Sequence, residues 1–118
     1  MKYLCLLYFD GKQLDAMSAE DKKTIDRDSL AYDRELERRG HFIAAQALQG
    51  PDSAVTVRIE GGKVSTTDGP YAETKEALGG FILIEADDLN QAIQLAAGIP
   101  LARRGAVEVR PIYDVPQP

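Results

Sequence analysis

Val55-Thr56-Val57-Arg58-Ile59-Glu60-Gly61-Gly62-Lys63-Val64-Ser65-Thr66-Thr67-Asp68 is the stretch that decides the fold. Its first six residues alternate apolar and polar, the pattern of a strand with one covered face. Gly61-Gly62 reads as a two-residue hairpin turn, and a turn of that length fixes register. Glu60 then faces Lys63, Ile59 faces Val64, Val57 faces Thr66 and Val55 faces Asp68. The opposite charges of Glu60 and Lys63 support that pairing. Asp68 falls on the same face as Val55, Val57, Ile59 and Val64, where partial loss of water raises a carboxyl's affinity for its proton.

Upstream, Tyr3-Leu4-Cys5-Leu6-Leu7-Tyr8-Phe9 is apolar at every position, as expected of a strand covered on both faces. Ser18-Ala19-Glu20-Asp21 has the form of a capping box. It opens a helix that runs to Arg39 and stops at Gly40. Three- and four-residue spacing puts Ile25, Ser29, Tyr32 and Leu36 on its inward stripe and leaves Asp26, Arg27, Asp33, Arg34 and Glu37 away from it. Ser29 is thus a hydroxyl within an apolar stripe, bonded to its own helix or facing a pocket. His41 to Leu48 reads as a second strand, with His41, the only histidine, in solvent. Downstream, Gly79-Gly80 reads as a turn pair before the apolar strand Phe81–Glu85. Asp87 or Asp88 caps a second helix whose stripe is Leu89, Ala92, Ile93 and Ala96. Gly98 and Pro100 end that helix, and Val107–Tyr113 is a last strand that Pro111 assigns to an edge.

With the hairpin set aside as an insertion, the order is β-α-β-β-α-β, a ferredoxin-like α+β arrangement in one domain, residues 1–115, with a tail at 116–118. Two helices cover only one face of such a sheet. The first and fifth strands are apolar on both faces, so a second copy is expected on the other, giving a homodimer with its sheets face to face.

The totals exclude several function classes. The chain has 118 residues, a net charge of -5 and no basic cluster larger than Arg103-Arg104, which argues against nucleic acid as a partner. Cys5 is the lone cysteine, so no internal disulfide forms. No apolar run approaches the roughly 20 residues of a membrane span, and no secretory signal is read, so the cytoplasm is the expected location. One histidine, one cysteine and scattered acids make no zinc set, and no glycine-rich phosphate loop is present, so neither metal nor cofactor is expected.

The run densest in chemistry is Asp68-Gly69-Pro70-Tyr71-Ala72-Glu73-Thr74-Lys75-Glu76. Two readings of it stand. In one, Asp68 and Gly69-Pro70 build a turn and the following charges are solvated. In the other, Asp68, Tyr71, Glu73, Thr74 and Lys75 line a ligand pocket, with Asp68 as the group best placed for any catalysis. Ser29 and Arg110 join them as candidate ligand contacts. No residue set names a reaction.

The same run resembles the signature of the YCII-related family in its DGPF branch, where Asp-Gly-Pro-Phe is followed by Ala-Glu-Thr-Lys-Glu. Tyr71 stands where that branch has phenylalanine. Leu78-Gly79-Gly80-Phe81, the opening Met-Lys-Tyr-Leu and Val107-Glu108-Val109-Arg110-Pro111 extend the resemblance over nearly the whole chain. It implies a dimeric α/β barrel of ferredoxin-like subunits. It also implies a cleft in which other members bring a histidine and an aspartate together. Their places fall here at Ser29 and Ile99, which cannot shuttle protons as that pair could. The branch is further associated with alternative sigma factors. The expected roles are therefore a small-molecule-binding barrel with weak activity at the Asp68–Glu76 loop, or a regulatory module that engages a sigma factor.

Overall fold

The computed structural model describes residues 1–118. The elements run β1 (Lys2–Asp10), α1 (Gly11–Asp15), α2 (Ala19–Arg38), β2 (Phe42–Ala47), β3 (Val55–Glu60), β4 (Lys63–Asp68), β5 (Glu76–Glu85), α3 (Leu89–Ala97) and β6 (Gly105–Pro111). Short 3-10 turns at Pro51–Ser53 and Pro100–Arg104 precede β3 and β6.

The main sheet has the order β2-β5-β1-β6, antiparallel throughout. With β3 and β4 set aside, this is the second, third, first and fourth strand in space, compatible with a ferredoxin-like fold. The two hairpin strands form a separate sheet. Their register is the one set by the turn: Val55 opposite Asp68, Val57 opposite Thr66, Ile59 opposite Val64 and Glu60 opposite Lys63. Gly61 and Gly62 both have positive φ, 55° and 78°, as the tight turn requires. The charges of Glu60 and Lys63 face each other without closing to an ion pair.

Local chemistry sets the helices. The Ser18 hydroxyl accepts from the Asp21 amide at 3.1 Å, and Asp88 accepts from the Gln91 amide at 2.8 Å. Gly40, with φ 81°, turns the chain out of α2. Both long helices lie on one face of the sheet. There Tyr3, Cys5 and Leu7 of β1 and Ile82 and Ile84 of β5 meet Leu36 of α2 and Ala92, Leu95 and Ala96 of α3. Alternation along the strands leaves Leu4, Leu6, Phe81 and Leu83 on the opposite, open face. Arg110 and Glu108 of β6 and Gln46 of β2 flank them there.

Three sequence expectations change. Gly79-Gly80 is not a turn but lies inside β5, which starts at Glu76. Both glycines have ordinary φ, so the reason is space: the ring of Phe9 occupies the volume a Gly79 side chain would need, and the Gln46 carbonyl crowds Gly80. On α3 the buried stripe is Ala92, Leu95 and Ala96, followed by Ile99, while Leu89 and Ile93 are exposed. Both sets satisfy helical spacing; packing selects the one that reaches Cys5 and Tyr3. Finally, His41 is half-buried, its Nδ1 2.8 Å from the Glu85 carbonyl.

The edges of the sheet are irregular. β6 ends at Pro111, which lacks a donor, and the pairing of β2 with β5 slips between Phe42 and Ala44. No helix is long and apolar enough to cross a membrane.

Candidate functional site

Two turns before the well-packed Leu36, small side chains face one another. Ser29 on α2 looks across at Ala45 and Ala47 of β2 and at Gly79 and Gly80 of β5. These residues cannot fill the space between helix and sheet, and a cleft of about 470 Å³ remains. That volume is in the range of small-molecule sites. Leu7, Ile82, Ile99 and Leu101 supply apolar walls.

Polar groups enter from one side. Asp26, Ser29 and Asp33 follow at three- and four-residue intervals along α2 and all line the cleft. The reading that Asp26 and Asp33 turn away from the site is corrected here. They flank the inward stripe, and the void beside Ser29 brings them to its rim. Asp33 is half-buried and belongs to none of the ion pairs. Burial holds its carboxyl above the ordinary carboxylate range. No lysine, arginine or histidine lines the cleft.

Tyr32, also at the cleft, donates its hydroxyl proton to the Leu95 carbonyl at 2.5 Å and ties α2 to the end of α3. Burial raises its pKa, the nearby Arg39 opposing this and Glu35 adding to it. The hydroxyl is thereby a structural donor. Cys5, fully buried beneath the same sheet, has its thiol pushed up to about 11 by burial, far from the reactive range.

The residues singled out in sequence line different hollows. Asp68, Gly69, Glu73 and Thr74 border a shallow basin with Pro51 and Asp52. Thr74 and Lys75 border a second with Tyr8, Asp10, Gln13 and Glu76. Within the loop, the Thr74 hydroxyl bonds to the Glu76 carbonyl. Tyr71 is 80% exposed, with the Arg58 guanidinium 5.5 Å from its ring centre. Arg110 lies on the open sheet face, 3.7 Å from Glu108.

The expectation that Asp68 is partly desolvated fails, although its register is the one expected. The face it shares is itself uncovered, with Val55, Val57, Ile59 and Val64 all more than half exposed, and Asp68 is exposed with them. Of the candidates, Ser29 alone lines the cleft between α2 and the sheet, while Thr74 and Lys75 also border a larger hollow of about 860 Å³ beside Phe9 and Lys12. Ile99, which is 3% exposed, forms part of the wall of that same cleft.

A cleft at this position, built by residues from both halves of the chain, invites comparison with known proteins. Residues 1–116 match the YCII-related domain. The chain belongs to the YCII-related family. Consistent with that, an uncharacterised protein of Rhizobium meliloti (strain 1021) is 35% identical over 114 residues, 95% of this chain and 92% of the relative. The relative's name carries no activity, so the chemistry of this YCII-related chain rests on its own geometry. Sequence spacing marked Ser29, but the two acids beside it are recognisable only once the small residues of β2 and β5 are known to face them.

Proposed function

We propose that the chain binds a small organic molecule in the cleft between α2 and the sheet. The ligand has an apolar body and a cationic or proton-donating head. One observation carries this reading: Asp33 is partly desolvated, unpaired and set at the rim of an apolar cleft that has no cation of its own. Even partial burial of a carboxylate without a partner is unfavourable, and an ammonium or hydroxyl arriving with the ligand relieves that cost. The reading moves the ligand site from the Asp68–Lys75 loop to α2 and retains Ser29.

The test uses phenethylamine and phenylpropionate as matched probes, followed by amide chemical shifts. The amine should perturb residues of α2, β2 and β5; the carboxylate should not. Ser29→Leu should weaken the response by narrowing the cleft, and Asp33→Asn should remove the preference for the amine. Absence of any shift around Ser29 with either probe refutes the proposal.

We also propose that two copies pair through their open sheet faces, as in a dimeric α/β barrel of the DGPF type. Leu4, Leu6, Phe81 and Leu83 form an apolar centre there, with Gln46, Glu108 and Arg110 as a polar rim, the anatomy of an association surface. Only 12 of 118 residues are buried in the single chain, which leaves the protomer short of a two-sided core. Sedimentation velocity should give a dimer, and Leu6→Asp should dissociate it.

A further inference from the structure

The β3–β4 hairpin presents two contrasting faces. One carries Val55, Val57, Ile59 and Val64, exposed by 57%, 60%, 66% and 69%. The other carries Thr56, Arg58, Glu60, Lys63, Ser65 and Thr67. The polar face suits water; the apolar one does not. Yet β3 and β4 hydrogen-bond as a sheet only to each other. A two-stranded hairpin standing alone is marginal in water, and four exposed β-branched side chains on one side exceed the scattered apolar exposure normal for a surface.

The chain itself has nothing to lay on that face. The protomer is a slab of 48 × 47 × 19 Å with a radius of gyration of 16.3 Å. A compact domain of this length has a radius of about 13.5 Å. The hairpin is part of that spread.

We propose that the apolar face of the β3–β4 hairpin is an arm that docks on a second copy of this chain. The inference rests on the pairing proposed above and adds a second contact to it. Area favours this occupant. Four strands about 4.8 Å apart and about seven residues long give the open sheet face a flat footprint of about 450 Å². A stable interface buries about 800 Å² per partner, so the sheet alone falls short. Each copy then buries its own arm, about 200 Å², and the patch that receives its partner's, about 200 Å² more, which closes the gap. A two-fold pair uses the arm twice, each copy covering the face the other cannot. Stacking two 19 Å slabs also restores a near-isometric particle.

The test combines sedimentation with hydrogen exchange on the full chain across a dilution series. The double variant Val57→Lys/Ile59→Lys alters side chains outside the core. It should weaken association roughly 100-fold or more, since four buried side chains are lost from each pair. In the wild type, hairpin amides should be protected at high concentration and exchange freely on dilution. A wild-type dimer whose affinity is unchanged by the double variant, with hairpin exchange independent of concentration, overturns the arm and leaves sheet-face pairing intact. Hairpin protection that persists in the monomer also overturns it, because the arm then folds onto its own chain. A wild type that stays monomeric at every concentration overturns both readings.

Discussion

Gly79→Ala is a small change with a calculable cost. Gly79 has no conformational need to be glycine, because its φ is ordinary. What it supplies is room: the Phe9 ring lies where the new methyl group would sit. Opposite it, the β1–β5 pairing slips between Leu7 and Tyr8, so Gly79 has no partner residue on β1 and the aromatic ring takes that place. Alanine must displace the ring, an overpacking cost of about 1–3 kcal/mol. The swap returns about 0.5–1 kcal/mol, because glycine is a poor strand residue. Taken at the midpoints of these ranges, a net loss of about 1.2 kcal/mol follows. For a chain of this length the unfolding entropy near the midpoint is about 0.25 kcal/mol/K, so Tm should fall by about 5 °C. Thermal unfolding by circular dichroism reads this directly. A double-mutant cycle with Phe9→Ala isolates the cause. With the ring gone, Gly79→Ala should be neutral or stabilising by up to about 1 kcal/mol. Additivity of the two changes, or a single Gly79→Ala that is as stable as wild type, would refute the steric account.

Further outcomes follow from the buried groups. Cys5 titrates at 9.0 when unperturbed and at about 11 in the fold, so its contribution is complete below pH 9.0 and is lost as pH rises to about 11. That loss is on the order of 3 kcal/mol. Urea denaturation at about pH 8 and about pH 10.5 should therefore show a steeper fall for wild type than for Cys5→Ala. Asp33 has a raised pKa, so its charged form disfavours the fold once pH exceeds the unfolded value. Asp33→Asn should raise Tm at neutral pH, with the difference vanishing below about pH 3 where both states are protonated; an equal gain at all pH values would contradict this. Tyr32→Phe removes the bond to the Leu95 carbonyl and should cost about 0.5–1.5 kcal/mol. The lower end is expected, since that carbonyl still accepts the Gly98 amide at 3.2 Å; chemical denaturation measures it.

Features governed by neighbours in sequence were readable in advance. The Gly61-Gly62 turn dictates which residues of β3 and β4 face each other, and no distant contact enters. The Ser18 and Asp88 caps act over three residues, and Pro111, lacking a donor, fits the edge position that β6 takes. Features decided by distant residues were not readable. Gly79-Gly80 looks like a turn until Phe9, some seventy positions earlier, is brought over it. Leu89 and Ile93 fit the helical period as well as Leu95 does, and only the position of the sheet separates them. The site divides in the same way. Ser29 announced itself as a hydroxyl in an apolar stripe. Asp26 and Asp33 gained meaning from small residues on β2 and β5 that leave the cleft unfilled. The register of Asp68 was correct, but register assigns a face without saying what covers it.

The broken borders of the main sheet have a consequence of their own. A fibril grows when a foreign strand adds to a free backbone edge. On one side Pro111 offers no amide to such a strand, and on the other the slip after Phe42 breaks the row of donors and acceptors. The main sheet is therefore a poor template for strand-by-strand growth, and the open edges of the native molecule are those of the β3–β4 hairpin, which pairs only with itself. Unfolded chains offer a second start, because the uninterrupted apolar runs of β1 and β5 are then laid bare.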